Sequence, residues 1–182
     1  MSHQTVLFFT LHFLMQIENW DKKLMYKNYL LSELALKNNW HFLKEKWFYL
    51  ALALAPLSLL ISLLWFPQVF SVFKITLITF IIMVIWQPLI EELFFRGLIQ
   101  GKFYHYNWFM KTQIGFSRAN WLVSLLFVAA HLFYHPLFWA LAVFLPSLIL
   151  GWFRDHYQSV VPAILLHALY NASFIVMPIF LL

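Results

Sequence analysis

Residues 69–97 read VFSVFKITLITFIIMVIWQPLIEELFFRG, and this stretch decides the fold class. The part from Val69 to Ile90 carries one charge, Lys74, and about 20 apolar residues of helix are enough to cross a bilayer. Two glutamates and an arginine follow without a helix-breaking residue. Because charged side chains inside a span are costly, they are retained mainly where they face partners or a water-filled cavity. The stretch therefore predicts a membrane helix with a functional polar end.

The composition of the whole chain also indicates a membrane protein. Of 182 residues, 63% are hydrophobic and 10% are charged, whereas a soluble globular domain is about 25% charged. The chain has no Cys, which excludes disulfide frameworks, Cys-ligated zinc, iron–sulfur clusters and thiol nucleophiles. We predict an all-α integral membrane protein with an amino-terminal segment (residues 1–46) and a membrane domain (residues 47–182).

About five apolar segments are predicted to span the membrane as helices. They run from Trp47 to Phe66, from Val69 to Ile90, from about Asn120 to Phe133, from Pro136 to Phe153 and from Val160 to Leu182. The second helix is expected to continue toward Lys102, and prolines inside the spans predict kinks. The apolar run at residues 6–17 is too short to cross a bilayer, so residues 1–46 are expected to form an interfacial, amphipathic helical segment.

The positions of Lys and Arg predict the orientation. Residues 1–46, the connection at 102–118 and the turn at Arg154 are basic, while the turns at 66–68 and 135–136 contain neither Lys nor Arg. Basic loops remain in the cytoplasm, so the amino terminus is predicted to be cytoplasmic. The net charge of +5 is then explained by orientation and by contact with the lipid bilayer, and no nucleic-acid partner is expected.

Polar residues inside three predicted spans indicate a functional site. The residues are Glu91, Glu92 and Arg96 in the second span, His131 in the third, and His167 with Asn171 in the fifth. Each group lies about 11 residues, or roughly 16 Å at 1.5 Å per residue, from the predicted cytoplasmic end of its helix. The three groups are therefore expected to lie at one depth.

The spacing within the groups suggests different tasks. Glu92 and Arg96 are four residues apart on a helix, so they are expected to form an ion pair that supports the site. Glu91 points about 100° away around the helix and remains a free carboxylate. His167 and Asn171 share one helix face. A carboxylate, two imidazoles and an amide can activate water and stabilise a developing oxyanion.

Two other interpretations use the same residues. Glu91, His131 and His167 offer one oxygen and two nitrogens with an open position, which is typical of catalytic zinc, although HExxH is absent. A single intramembrane His or Asn is also commonly an interhelical hydrogen-bonding group. We favour a site without a metal or other cofactor and keep zinc as the alternative.

Three short patterns resemble the motifs EExxxR, FxxxH and HxxxN of the CPBP family in order and separation. They are Glu91-Glu92-Leu-Phe-Phe-Arg96, Phe127-Val-Ala-Ala-His131 and His167-Ala-Leu-Tyr-Asn171. That family comprises intramembrane proteases, including the Rce1-type CAAX prenyl endopeptidases and the bacteriocin-processing or self-immunity proteins of the Abi group. The resemblance covers a core at about residues 86–175.

The resemblance implies an endopeptidase that cleaves a membrane-associated protein or peptide near the cytoplasmic side of a membrane, by default the bacterial inner membrane. The implied roles are water activation by Glu91 with help from His131, oxyanion stabilisation by His167 and Asn171, and support by Glu92 and Arg96. Family members have been described both as metalloproteases and as metal-independent glutamate proteases, and we favour the second chemistry. The competing class of function is a non-enzymatic immunity or scaffold protein, or a proton-coupled binding protein.

Overall fold

A computed structural model describes residue 36 and residues 40–65 and 76–181 of the chain. Most of the predicted interfacial segment lies outside these residues, as do Lys74 and the predicted helix start at Val69. After a 3₁₀ turn at His41–Lys44, the described helices are α1 (Lys46–Trp65), α2 (Leu77–Tyr104), α3 (Asn107–Met110), α4 (Arg118–Leu132), α5 (Leu137–Ala142), α6 (Phe144–Tyr157) and α7 (Val161–Leu181).

The described helices fit a membrane protein. Two segments, Leu77–Tyr104 and Leu137–Tyr157, are long and apolar enough to cross a membrane, and the second comprises α5 and α6. Shorter apolar helices occupy Lys46–Leu57, Arg118–Leu132 and Val161–Ile175. The helical segments therefore lie where spans were predicted, and the number of five spans stays a prediction.

Helix α2 begins at Leu77 because Thr76 caps it. Thr76 has an extended backbone (φ −80°, ψ 157°), and its hydroxyl accepts a hydrogen bond from the Thr79 N–H at 3.1 Å. A side-chain oxygen at this position satisfies a backbone donor that the helix itself cannot pair. At its other end the helix passes Lys102, as predicted, and ends at Tyr104.

The described residues are mostly helical, as predicted, with one short departure in the connection between α3 and α4. Thr112–Gln113 (β1) and Phe116–Ser117 (β2) form a minimal antiparallel hairpin, with Thr112 opposite Ser117 and Gln113 opposite Phe116. This hairpin has no local signal in the sequence, because Ile114 is not a residue that two-residue turns favour.

Prolines shape the two long apolar segments. In α2, π-helical stretches at Ile82–Trp86 and Leu93–Gln100 flank the α-helical turn that carries the glutamates, and Pro88 follows the first stretch. Pro146 lacks the N–H that would bond to the carbonyl of Ala142, and the helix breaks at Val143, between α5 and α6. These irregularities agree with the predicted kinks, and π-helical turns are frequent at functional sites.

Helix α7 lies at the centre of the packing. It contacts α1, α2 and α6, while α4 packs on α2 and α6. The core between α1, α6 and α7 is aromatic and aliphatic: Phe48, Phe153 and Leu166 are buried, and the Tyr170 hydroxyl donates to the Ala51 carbonyl at 2.9 Å. This packing places the polar residues of α2, α4 and α7 next to one another.

Candidate active site

Glu92 is the centre of a fully buried polar group. Its Oε1 lies 2.8 Å from Nδ1 of His167, and its Oε2 lies 3.2 Å from Nε of Arg96. The ion pair expected from the spacing of Glu92 and Arg96 is therefore present. It is a charge contact without an aligned hydrogen bond, because Arg96 Nε and Glu92 Oε2 have no hydrogen-bond partner among the described residues.

Arg96 connects α2 to two other helices. One of its terminal nitrogens donates to both the carbonyl (3.0 Å) and the hydroxyl (2.7 Å) of Ser147 in α6. Its guanidinium lies 4.6 Å from the ring centroid of Phe127 in α4. A buried cation needs compensating charge and polar contacts, and Glu92 and Ser147 provide them. Ser147 is a site residue that the sequence did not reveal, since nothing in its spacing distinguishes it.

Glu91 is placed differently from its neighbour. Its Oε1 accepts a hydrogen bond from Nε2 of Gln87, one turn earlier in α2, at 2.8 Å. Its Oε2 is buried, has no hydrogen-bond partner among the described residues and lies 3.8 Å from Nε2 of His167. The side chain of Glu91 is 21% exposed, whereas that of Glu92 is inaccessible. Glu91 thus retains one free carboxylate oxygen within the protein.

His167 lies between the two glutamates. Its Nδ1 faces Glu92 and its Nε2 faces Glu91, so the two ring nitrogens have separate partners. A carboxylate that receives one ring N–H fixes the orientation of the imidazole and the chemistry available at the other nitrogen. The ring is nearly buried, which keeps this arrangement away from bulk water.

His131 approaches the site through Phe127. Its Nδ1 lies 2.9 Å from the Phe127 carbonyl oxygen, so Nδ1 is the donor and Nε2 is left for other contacts. The Phe127 ring lies 4.4 Å from the ring of His131 and 6.0 Å from the ring of His167, measured between centroids. His135 stacks on His131 at 5.7 Å, and burial, followed by the proximity of His131, lowers the pKa of His135.

Asn171 lies one helical turn beyond His167. Its amide nitrogen donates to the Met83 carbonyl of the first π-helical stretch at 2.9 Å. A π-helical turn displaces backbone carbonyls from the regular ladder, and this contact gives one of them a donor from α7. In this arrangement Asn171 connects α7 to α2, the interhelical interpretation considered above.

The described residues contain no group of three or more His, Asp or Glu side chains arranged to hold a metal ion. The conditional ligand set of Glu91, His131 and His167 is therefore not gathered around one point. His167 directs one nitrogen to Glu92, and His131 directs one to its own helix. Because the arrangement does not fit a bound metal ion, the mechanism below uses the protein side chains alone.

A second buried polar group closes the end of α2. Gln100 donates to Asp155 Oδ1 (2.8 Å), and Ser117 donates to Asp155 Oδ2 (2.6 Å). Arg154, which we predicted to lie in a basic turn on the cytoplasmic side, is only 4% exposed and donates to the Arg96 carbonyl at 3.1 Å. It lies in a helix and not in a turn, because α6 continues through Tyr157 and places Arg154 against α2.

The comparisons agree with the motifs. Residues 73–173, which contain all six predicted site residues, match the family model described as "Type II CAAX prenyl endopeptidase Rce1-like". No curated protein and no solved structure matched the chain. The match spans more than half of the sequence and confirms the CPBP resemblance. The chain therefore belongs to the type II CAAX prenyl endopeptidase Rce1-like family of membrane-integral proteases.

Proposed function

We propose that this protein is an intramembrane endopeptidase in which Glu91 activates the water that hydrolyses a peptide bond of a membrane-associated protein or peptide. The observation that carries the proposal is the free Oε2 of Glu91, which is buried and lies 3.8 Å from His167 Nε2. A buried acceptor without a partner costs about 1–3 kcal/mol. Because Glu91 is also partly exposed, this oxygen is the one we assign to the water.

We place the attacking water molecule between these two atoms. If it lies about 2.8 Å from Glu91 Oε2 and from His167 Nε2, its two contact directions are about 85° apart. A water molecule can form two hydrogen bonds at an angle of this size. Glu91 then accepts one of the water's hydrogens, and the water oxygen has a lone pair directed away from both partners toward a substrate carbonyl.

The hydrolysis follows from this position. As the water oxygen attacks the carbonyl carbon, Glu91 takes its proton and a tetrahedral intermediate forms. The proton then passes from Glu91 to the amide nitrogen while the carbon–nitrogen bond breaks, which yields a carboxylic acid and an amine and returns Glu91 to its carboxylate form. We assign an assisting role to His131, whose Nε2 is available because Nδ1 faces the Phe127 carbonyl.

We assign stabilisation of the oxyanion to His167 and Asn171. In this role His167 donates from Nε2 while Nδ1 donates to Glu92, so both ring nitrogens carry hydrogen and Glu92 supplies the compensating negative charge. Asn171 can join only if its amide exchanges the Met83 carbonyl for the oxyanion. We therefore propose that substrate binding releases Asn171 from Met83, and we assign structural support to Glu92 and Arg96.

We also propose the placement of this reaction in the cell. The five helical segments would cross a bacterial inner membrane with the amino terminus in the cytoplasm. Lys102 near the end of α2 and Lys111 in the connection between α2 and α4 are both exposed, and they support a cytoplasmic position for that connection. The site would then open toward the cytoplasmic half of the bilayer.

The test is cleavage by the purified protein in lipid vesicles. A prenylated CAAX peptide and its unprenylated counterpart serve as probes, and mass spectrometry identifies the products. Glu91→Gln should reduce the rate by about 10²- to 10⁴-fold, since it removes the general base. Glu45→Gln, which changes a glutamate that is 40% exposed near the start of α1, is the matched control. Cleavage by Glu91→Gln at the control rate would contradict the proposal.

A separate experiment tests whether cleavage requires a metal ion. Incubation with a strong chelator should leave the cleavage rate unchanged if Glu91 activates water directly. A loss of activity that added zinc restores would overturn the metal-free mechanism and favour a rearranged Glu91, His131 and His167 set. Ion-driven uptake that depends on Glu91, without proteolysis, would instead indicate the competing proton-coupled function.

A further inference from the structure

The hairpin at Thr112–Ser117, between α3 and α4, has an unusual tip. Ile114 (φ 52°) and Gly115 (φ 83°) both adopt the left-handed backbone conformation. Two-residue turns of this kind favour Asn-Gly, and a β-branched residue at positive φ is an outlier. The Ile114 side chain is also 88% exposed. In water, neither its backbone conformation nor its exposed side chain is favourable.

Hydrogen bonds at the base of the hairpin and at Ser117 hold the rest of the hairpin in place. These contacts keep Ile114 in the left-handed conformation. The Arg118 N–H donates to the Lys111 carbonyl at 3.0 Å and closes the base. Ser117 is buried and donates to Asp155. The backbone at the tip is therefore imposed by contacts elsewhere, and strain maintained in this way is common at functional positions.

The hairpin lies along α4 instead of extending away from it. The indole N–H of Trp121, one turn into α4, donates to the Gln113 carbonyl at 3.1 Å, and the Phe116 ring packs edge-on against Trp121. Gln113 directly precedes the tip. The strand that leads to Ile114 thus lies against the first turn of the apolar helix α4.

The surroundings of the hairpin are basic and aromatic. Lys111 at its base and Lys102 at the end of α2 are exposed, and Asp155, the carboxylate that Ser117 contacts, is paired with Arg154 at 3.3 Å. Tyr106 and Trp108 are 59% and 58% exposed. Exposed Trp and Tyr next to Lys are typical of segments at the membrane–water boundary. The charge complements anionic phospholipid headgroups and not a basic partner.

We propose that the hairpin is a membrane wedge: Ile114 inserts into the lipid of one leaflet while Lys111 contacts anionic phospholipid headgroups. The insertion removes Ile114 from water, which accounts for an apolar residue where Asn would suit the backbone better. The wedge fixes the depth of the adjoining ends of α2 and α4, and therefore the depth of the active site relative to the headgroups.

The absence of cysteine from the chain provides a direct test. Ile114→Cys and the matched control Asn107→Cys, an exposed polar position in α3, each introduce a single thiol. The full-length proteins are placed in nanodiscs of phosphatidylcholine with or without phosphatidylglycerol. A water-soluble maleimide should label Cys at position 114 at least about tenfold more slowly than Cys at position 107 in the anionic discs. Rates are normalised to those of the denatured proteins.

Two further results complete the test. Adding Lys111→Gln to Ile114→Cys should raise the labelling rate in the anionic discs, since the headgroup contact is lost. Equal normalised rates at positions 114 and 107 in both lipid compositions would overturn the proposal. Protection of position 114 that appears only after an acidic peptide is added would also overturn it and would identify a peptide-docking surface.

Discussion

The same substitution at two adjacent residues should have opposite consequences. Glu91→Gln is expected to abolish cleavage while the protein keeps its stability, and Glu92→Gln is expected to destabilise the fold. The two substitutions differ in effect because the two carboxylates make different contacts. Glu91 accepts one hydrogen bond, from the neutral Gln87, lies 3.8 Å from His167 and has a partly exposed side chain. Glu92 is inaccessible and neutralises Arg96, which is also fully buried.

The magnitudes follow from these contacts. Removing one member of a buried ion pair costs about 3–5 kcal/mol, because the remaining charge is left uncompensated. For a chain of this size that corresponds to a decrease in Tm of about 6–20 °C. In the Glu91→Gln protein, the new amide can still accept the hydrogen bond from Gln87. The change in stability should therefore be below about 1 kcal/mol.

Thermal unfolding in detergent and peptide cleavage are measured on the same preparations. A third protein, Glu92→Gln with Arg96→Met, removes both charges and should recover part of the Tm lost by Glu92→Gln alone. If the loss of stability in the double variant equals the sum of the losses in Glu92→Gln and in Arg96→Met measured alone, the two residues are not coupled and the reasoning fails. Equal Tm values for Glu91→Gln and Glu92→Gln would refute it as well.

Three other predictions concern residues around the site. Gln87→Leu should lower kcat for peptide cleavage about 10- to 100-fold at nearly unchanged KM, because Gln87 positions Glu91; a change confined to KM would argue against that role. Gly151→Ala should destabilise the fold by about 1–3 kcal/mol, since a Cβ there would overlap the amide of Asn120, and adding Asn120→Ala should recover part of this loss in thermal unfolding. His135 has a lowered pKa in the folded protein, so as the pH falls the unfolded chain binds a proton at His135 before the folded protein does. The free energy of unfolding should therefore decrease below about pH 6.5. His135→Asn should reduce this dependence of stability on pH in thermal melts at pH 5–7.5. An unchanged slope would contradict the assignment.

The helices and the grouping of polar residues could be predicted because both depend on local sequence. Apolar runs of about 20 residues specify membrane helices, and the spacing of Glu92 and Arg96 specifies their pairing along one face. The approach of His167 to both glutamates agrees with the predicted common depth of the second and fifth spans. At these residues the sequence pattern and the packing both place His167 next to the two glutamates.

Other features depend on contacts between distant segments and have no local signal. Ser147 receives Arg96 only because α6 packs against α2, and Arg154 is buried for the same reason. The pattern around Arg154 resembles that of a solvated loop charge, so its burial could not be predicted without the position of α2. Likewise, a turn at Ile114 contradicts local preference and is imposed by the contacts of Ser117 and Trp121.

The different contacts of Glu91 and Glu92 show how helix spacing and tertiary packing together distinguish the two carboxylates. The helix places their side chains about 100° apart, but this separation alone does not say which carboxylate reacts. The tertiary contacts distinguish them: His167 and Arg96 lie 2.8 and 3.2 Å from the two oxygens of Glu92, while Gln87 binds Oε1 of Glu91 and leaves its Oε2 3.8 Å from His167. A carboxylate that is fully engaged can orient His167 but cannot take a proton from water without releasing a partner. The free oxygen of Glu91 is the group that can, and for this reason the neutral contact with Gln87 matters as much to the proposed chemistry as the charged contacts of Glu92.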